Sequence, residues 1–300
     1  MAEGIFPFSG DLSRPQIISL TIVAETRTLC LIMRCGDIAI LPLDISTSSS
    51  SSPSQILDTI GTIDPTPVLA ASFSSDSSLL TIVAGAASNT TLLLMDPVSF
   101  DVIISSPIIT KAYGSDAPVN VGWGSKSTQF HGSLGKAAAQ ASAPQASTTS
   151  PDDDGSARIS WRGDAQYFSV SIVENRKRVL RIYDRNAALQ NTAEDAPGLE
   201  GSLAWRPNGG LIASTQRFGK IPGAPNEEWG LGKGKDGRHD VVFFERNGLR
   251  HGEFSLREVV KEGRSIFPWG YRVKELGWNA DSTILSVWIE REQEDVGELP

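Results

Sequence analysis

The chain has 300 residues, with 27 Lys and Arg against 35 Asp and Glu and a net charge of −8. That length can bury a large core, as one repeat domain or as two ordinary domains. The acidic balance argues against a nucleic-acid or anionic-membrane surface spread over the whole domain and leaves room only for a local basic patch.

In chain order, the apolar runs are short, rich in β-branched residues and separated by turn residues, the pattern of strands rather than helices. Ile17–Val23, Leu29–Arg34 and Asp37–Leu43 read as three strands, and Val68–Phe73, Leu79–Val83, Thr91–Met95 and Val102–Ile109 as a set of four. A second set of four is expected at Arg158–Trp161, Tyr167–Val173, Val179–Tyr183 and Leu189–Thr192. A third falls at Leu203–Trp205, Leu211–Thr215, Asp240–Glu245 and Leu249–Leu256, and an unfinished one at Val273–Trp278 and Ile284–Ile289. Cys30 and Cys35 lie five apart in the second apolar run and would face opposite sides of a strand, so free thiols in a reducing compartment are expected rather than a bridge. No signal peptide and no apolar run of about 18 residues is present, which reads as a soluble intracellular protein.

One phrase recurs: an aromatic, a carboxylate or amide at plus three, and an aliphatic or aromatic at plus seven. It occurs as Phe73–Asp76–Leu80, Trp161–Asp164–Phe168, Trp205–Asn208–Ile212 and Trp278–Asp281–Leu285. The plus-nine residue is small or β-branched: Ile82, Val170, Ser214 and Val287. A repeated four-stranded unit predicts an all-β, WD40-like β-propeller, with the aromatic ending the innermost strand, the Asp or Asn capping the turn and the plus-seven residue returning to the core. A β-sandwich is the competing fold, but it does not require the same phrase in each unit.

Trp161 to Trp205 is 44 residues, whereas Phe73 to Trp161 is 88 and Trp205 to Trp278 is 73, so insertions are required. Residues 46–54, 135–156 and 217–239 are Ser-, Ala-, Gly- or Pro-rich and are expected to be disordered loops, and Arg257–Tyr271 is a further surplus segment. In the second half of the Phe73–Trp161 interval, before residue 135, only Val119–Trp123 and Thr128–His131 look like strands. About four to five blades result, an incomplete propeller without a full opening blade, expected to be part of a longer protein.

Three segments are more specific: Val121-Gly122-Trp123-Gly124 with Thr128-Gln129-Phe130-His131-Gly132; Ile159-Ser160-Trp161-Arg162-Gly163-Asp164; and Val241 through Phe254, containing Glu245-Arg246-Asn247-Gly248-Leu249-Arg250-His251-Gly252. In this order they resemble the N-terminal propeller region of the largest subunit of the Elongator complex, in a fungal-like version. The likeness runs from about residue 17 to the end, with residues 1–16 unmatched, so 17–300 would be a partial first WD40 domain, a fragment or truncated gene product. The resemblance implies a non-catalytic scaffold supporting carboxymethyl-type modification at carbon 5 of the tRNA wobble uridine. It further implies no cofactor on this chain, a catalytic partner subunit with a radical S-adenosylmethionine cluster and acetyltransferase chemistry, and a second subunit with WD40 propellers. Dimerisation of the full-length protein would use a C-terminal part absent here, and the location would be cytoplasmic and nuclear.

Single residues add little chemistry. His131, His239 and His251 lie near no ligand set at zinc spacing, and no triad or nucleophile elbow stands out, so no enzyme is expected. Gly232 through Gly237 formally matches Gly-x-Gly-x-x-Gly, but a strand rather than a helix follows it. Arg176, Lys177, Arg178 and Arg181 form the compact basic cluster that could touch RNA phosphates, against the blander reading of an exposed hairpin turn near Glu174 and Asp184. Arg246, Arg250 and His251 could meet a partner or simply bond across strands, around an Asn247-Gly248 expected to form a two-residue type I′ turn. Trp229 and Trp269 are candidate exposed anchors, whereas Trp123, Trp161, Trp205 and Trp278 are in core register. Two other functions stay open: a generic protein-interaction propeller of another complex, and an RNA-binding propeller using the Arg176–Arg181 edge.

Overall fold

A computed structural model describes residues 16–24, 26–43, 58–86, 89–108, 149–150, 153–219, 238–256, 259–261, 264–266 and 271–291. Residues 1–15, most of the loops at 46–54, 135–156 and 217–239, the strands expected at Val119–Trp123 and Thr128–His131, Trp229 and Trp269 lie outside them. Contacts divide the chain into two compact units, Met1–Ile108 and Ile109–Pro300.

The first unit holds two antiparallel sheets of four strands: β1 (Ile17–Val23), β2 (Thr28–Met33), β3 (Asp37–Pro42) and β4 (Asp58–Thr62), then β5 (Val68–Phe73), β6 (Leu80–Ala84), β7 (Thr91–Met95) and β8 (Val102–Pro107). Both sheets are meanders, and β1 runs beside β5. The core between them contains Val23, Cys30, Ile32 and Ile38 from one sheet and Val68, Leu80, Ile82, Leu93 and Met95 from the other. Cys30 is a buried free thiol that desolvation pushes up to about 11, and Cys35 is an exposed one. The opening sheet is therefore complete. The expectation of three strands missed β4, whose Asp-Thr-Ile-Gly-Thr has one large apolar residue and no alternation to reveal it.

The second unit has two more four-stranded meanders: β9 (Arg158–Trp161), β10 (Tyr167–Glu174), β11 (Lys177–Asp184) and β12 (Leu189–Thr192); then β13 (Leu199–Trp205), β14 (Leu211–Arg217), β15 (His239–Glu245) and β16 (Arg250–Ser255). A hairpin β17 (Val259–Lys261) and β18 (Arg264–Ile266), unforeseen within the charge-rich surplus segment, precedes the pair β19 (Tyr271–Trp278) and β20 (Leu285–Arg291). The strand β13 runs beside both β9 and β19. Leu180 and Ile182 of β11 pack with Trp205, Ile212, Val242 and Phe244 of the next sheet. On the far side Ala204, Ala213 and Val241 meet Leu276, Trp278, Leu285 and Val287. Among the described residues no helix is present. These sheets are the blades of an incomplete β-propeller.

The repeated phrase is one physical unit. Phe73, Trp161, Trp205 and Trp278 each end their strand and pair with Leu80, Phe168, Ile212 and Leu285, their own plus-seven residues. Leu80, Phe168 and Ile212 are fully buried. The amide after each aromatic, on Ser74, Arg162, Arg206 and Asn279, donates to the carbonyls of Leu79, Tyr167, Leu211 and Ile284 at 2.8–3.0 Å. Asp76 and Asp164 cap their turns by accepting from the amides of Ser78 (3.2 Å) and Gln166 (3.0 Å). In the fourth copy Asn279 does this instead, accepting from Thr283 and Ile284.

Adjacent turns bond to each other within this unit. Gly163 donates to Pro207, Asn208 to the hydroxyl of Ser282, and the Arg206 side chain to the Ser282 carbonyl. A second regularity lies at the rim. The register of each outer strand skips one residue, at Ile60, Ile103, Gln190 and His251, so the same β-bulge recurs in all four four-stranded sheets.

The type I′ hairpin is not where Asn-Gly placed it. Its two positive φ values fall on Asn175 (49°) and Arg176 (62°), between the paired Glu174 and Lys177. At 246–248 only Gly248 has positive φ (85°), its amide donates to Glu245 and the Glu245 amide donates to Leu249. That is a three-residue loop with a glycine bulge, because Asn247 caps the Leu249 amide at 2.9 Å from the ordinary φ region.

Candidate functional site

The basic cluster of β10–β11 is mostly internal. Strand alternation sends Arg178 to one face of the sheet and Arg181 to the other, and both are buried, at 3% and 2% exposure. Arg178 grips Asp153 in a fork with both side chains fully buried, and also donates to the Ser156 carbonyl (3.0 Å) and the Ser171 hydroxyl (3.2 Å). Arg181 makes a two-pronged pair with Glu174 at 2.5 and 2.7 Å. Beside that pair, Tyr183 is pushed up to about 12 by burial; the Arg181 charge opposes the shift and Glu174 adds to it. Lys177 pairs with Asp195 at 2.5 Å, and Arg176 lies exposed at the turn. Neither buried arginine can present its guanidinium to a phosphate without abandoning a desolvated carboxylate. Sequence could not show this for Arg178, whose partner is 25 residues away at the edge of the expected loop.

The residues proposed for partner contact bond mainly within the fold. Arg246 is exposed and stacks 4.8 Å from the centre of the Tyr167 ring, which Arg162 approaches at 4.5 Å. Arg250 pairs with Glu253 at 3.2 Å, and its amide meets Glu194 at 3.3 Å. His251 lies 3.1 Å from Glu245. Of the four aromatics in core register, Trp161 and Trp205 are buried and Trp278 is packed in a core cluster, while Trp123 lies outside the described residues.

The cluster that sequence reading overlooked surrounds Glu200. This carboxylate, near the start of β13, sits 2.5 Å from His239 Nε2 of β15 and accepts from Arg217 Nε (3.1 Å) and the Thr215 hydroxyl (3.1 Å) of β14. Arg217 and His239 are an opposed pair in the β14–β15 ladder, which explains how one acid reaches both. Burial by itself would raise the Glu200 carboxyl; the charge and hydrogen bond of His239, then Arg217 and Ser150, outweigh it and hold it at about 2. The signal present in the sequence was a lone acid, Glu200, just before the strand expected at Leu203–Trp205.

Next to this cluster opens a polar pocket lined by Asp153, Asp154, Arg158, Glu200, Arg272 and Lys274 among others. Its charges are neutralised in pairs: Asp154 with Arg158 at 2.8 Å, Lys274 with Glu290 at 2.8 Å, and Asp153 with Arg178. A general acid or base needs a proton affinity near neutrality, whereas the buried carboxylate here is held ionised. Among the described residues no group of three or more His, Cys, Asp or Glu could hold a metal. These contacts tie strands of the second unit together.

Residues 5–296 match the family described as the ELP1 first N-terminal beta-propeller. The chain belongs to that family. The match starts well before residue 17, so most of the segment expected to fall outside the likeness is part of it. Similar relatives include Elongator complex protein 1 of Mus musculus, 36% identical over 293 residues that make up 97% of this chain and 19% of the relative. The protein of that name in Schizosaccharomyces pombe is 31% identical over 94% of this chain and 20% of its own length, and that of Saccharomyces cerevisiae 30% over 91% and 20%. The chain thus spans about a fifth of the length of the relatives it matches, and is a fragment relative to them. Membership of the propeller family agrees with the meander sheets and repeated turn.

Proposed function

We propose that this chain serves as a non-catalytic, WD40-type assembly surface of the Elongator complex, supporting carbon-5 modification of the tRNA wobble uridine while another subunit performs the chemistry. The observation that carries this reading is the family match across residues 5–296. The internal ion pairs support it, because they assign the chain's conspicuous charges to holding blades together rather than to a reaction or to RNA. The expected partners are the catalytic radical S-adenosylmethionine subunit and the second propeller subunit, in the cytoplasm and nucleus, with a dimer formed through other parts of the full-length protein.

The test is to purify the tagged full-length protein from its own cells and identify what accompanies it. Recovery of the other Elongator subunits supports the reading; their absence sinks it. Deleting residues 17–291 should also lower carboxymethyl-type wobble uridine, measured by mass spectrometry of digested tRNA, and an unchanged level would separate this region from the modification.

A further inference from the structure

The outermost hairpin of the second sheet carries exposed apolar residues at its turn tip and bulge, where the third and fourth sheets carry polar ones. At the β7–β8 corner Val98, Val102 and Ile103 are 62%, 51% and 55% exposed. The recurring bulge makes them comparable with the other rims: the skipped residue is Ile103 here, Gln190 in the third sheet and His251 in the fourth. The turn tip is Val98 here, Asn186 and Asn247 there, each one or two residues before a left-handed position at Phe100, Ala187 or Gly248. The fold therefore accepts polar residues at both places, and burial does not explain the apolar ones. Bulges re-aim side chains, and this one turns neighbouring Val102 and Ile103 both toward solvent.

The charge around the patch has one sign. Asp101 is exposed beside Val102, Asp96 caps the Val98 and Ser99 amides at 2.8 Å, and Asp76 is exposed on the other turn at the same end of that sheet. Residues 1–108 hold ten Asp and Glu against three Arg and no Lys, so this unit carries −7 of the chain's −8. An exposed apolar patch rimmed by one charge marks a contact for a surface of opposite charge.

We propose that the β7–β8 corner, Val98, Val102 and Ile103 with Asp96 and Asp101, docks a segment of another polypeptide that combines lysine or arginine with apolar side chains. This rests on the chain acting as an assembly subunit, but not on which subunit lies opposite. The test uses the full-length protein in its purified assembly. Zero-length carbodiimide coupling should join Asp96 or Asp101 to a lysine in an apolar, basic segment of another polypeptide. The variant Val98→Asn/Ile103→Gln, which borrows the polarity of the sister sheets, should reduce that coupling about fivefold or more while thermal unfolding moves by less than about 2 °C. Coupling to a second copy of this chain, no coupling at either aspartate, or equal coupling in the variant would overturn the proposal. If no other subunit accompanies the parent protein, the assembly reading has failed, and the patch is then judged with a labelled peptide of alternating Lys and Val. That peptide should bind the parent about fivefold tighter than the variant, and equal binding refutes the patch.

Discussion

Removing Asp153 gives the sharpest test of how this fold uses its charges. In Asp153→Ala the Arg178 guanidinium stays inside, because its strand neighbours Leu180 and Ile182 are locked in the core beside Trp205 and Phe244. It keeps the Ser156 carbonyl and Ser171 hydroxyl but loses its counter-charge. Breaking one side of a buried pair costs about 3–5 kcal/mol, a large part of the roughly 5–15 kcal/mol that typically holds a domain. The double variant Asp153→Ala/Arg178→Met removes the buried charge as well and should recover more than half of that loss. Urea unfolding followed by tryptophan fluorescence, with Trp161 and Trp205 as reporters, measures all four corners of the cycle. If the single variant loses under about 1 kcal/mol, or the double variant loses the sum of both singles, Arg178 is not a buried charge held by Asp153. The role assigned to it here would then be wrong.

Three further outcomes are expected. Glu200 is held at about 2 against an ordinary 4.5, so its contribution is complete above about 4.5 and is lost as pH falls towards 2; Glu200→Gln should flatten the acid limb of a stability–pH curve, and a parallel limb would exclude it. A methyl group at Gly163 would lie 2.7 Å from the Pro207 carbonyl oxygen, whereas one at Gly252 meets nothing within 4 Å. Gly163→Ala should therefore lower the melting temperature clearly and Gly252→Ala hardly at all; equal effects would undo the close-approach argument. Trp205→Ala should cost about 3–5 kcal/mol in a chemical melt, since the ring is 3% exposed and its Nε1 donates to the Gly209 carbonyl at 3.0 Å; a near-neutral result would make it a surface platform.

Features built from neighbouring residues were legible in the sequence. The aromatic, the turn acid and the plus-seven residue lie within one hairpin, so Trp161 opposite Phe168 could be read from spacing alone. Elements with weak local signals were not: β4 has almost no apolar content, and the hairpin β17–β18 hides among charges. Turn type also escaped, because Asn247-Gly248 permits a type I′ turn without requiring one, and strand register decided for Asn175-Arg176. The charged cluster misled for a different reason. Adjacent cations look like a patch in a string of letters, but a strand sends Arg178 and Arg181 to opposite faces, where Glu174 of the same hairpin receives Arg181 and the sequence-distant Asp153 receives Arg178. Glu200, Arg217 and His239 span 39 residues and meet only through ladder register.

The bonded turns have a consequence for synthesis. Gly163 donates to Pro207, and Asn208 and Arg206 reach Ser282, so each hairpin is tied off by a residue that emerges later from the ribosome. A nascent chain holding residues up to 217 would have β13 and β14 yet leave the Asn208 amide and Arg206 side chain without these partners. Maturation of each of these two hairpins thus trails translation by one repeat, and the long insertion before β15 lengthens that delay for the fourth sheet alone. A translational pause between residues 217 and 282 would expose a different folding intermediate from a pause placed one repeat earlier.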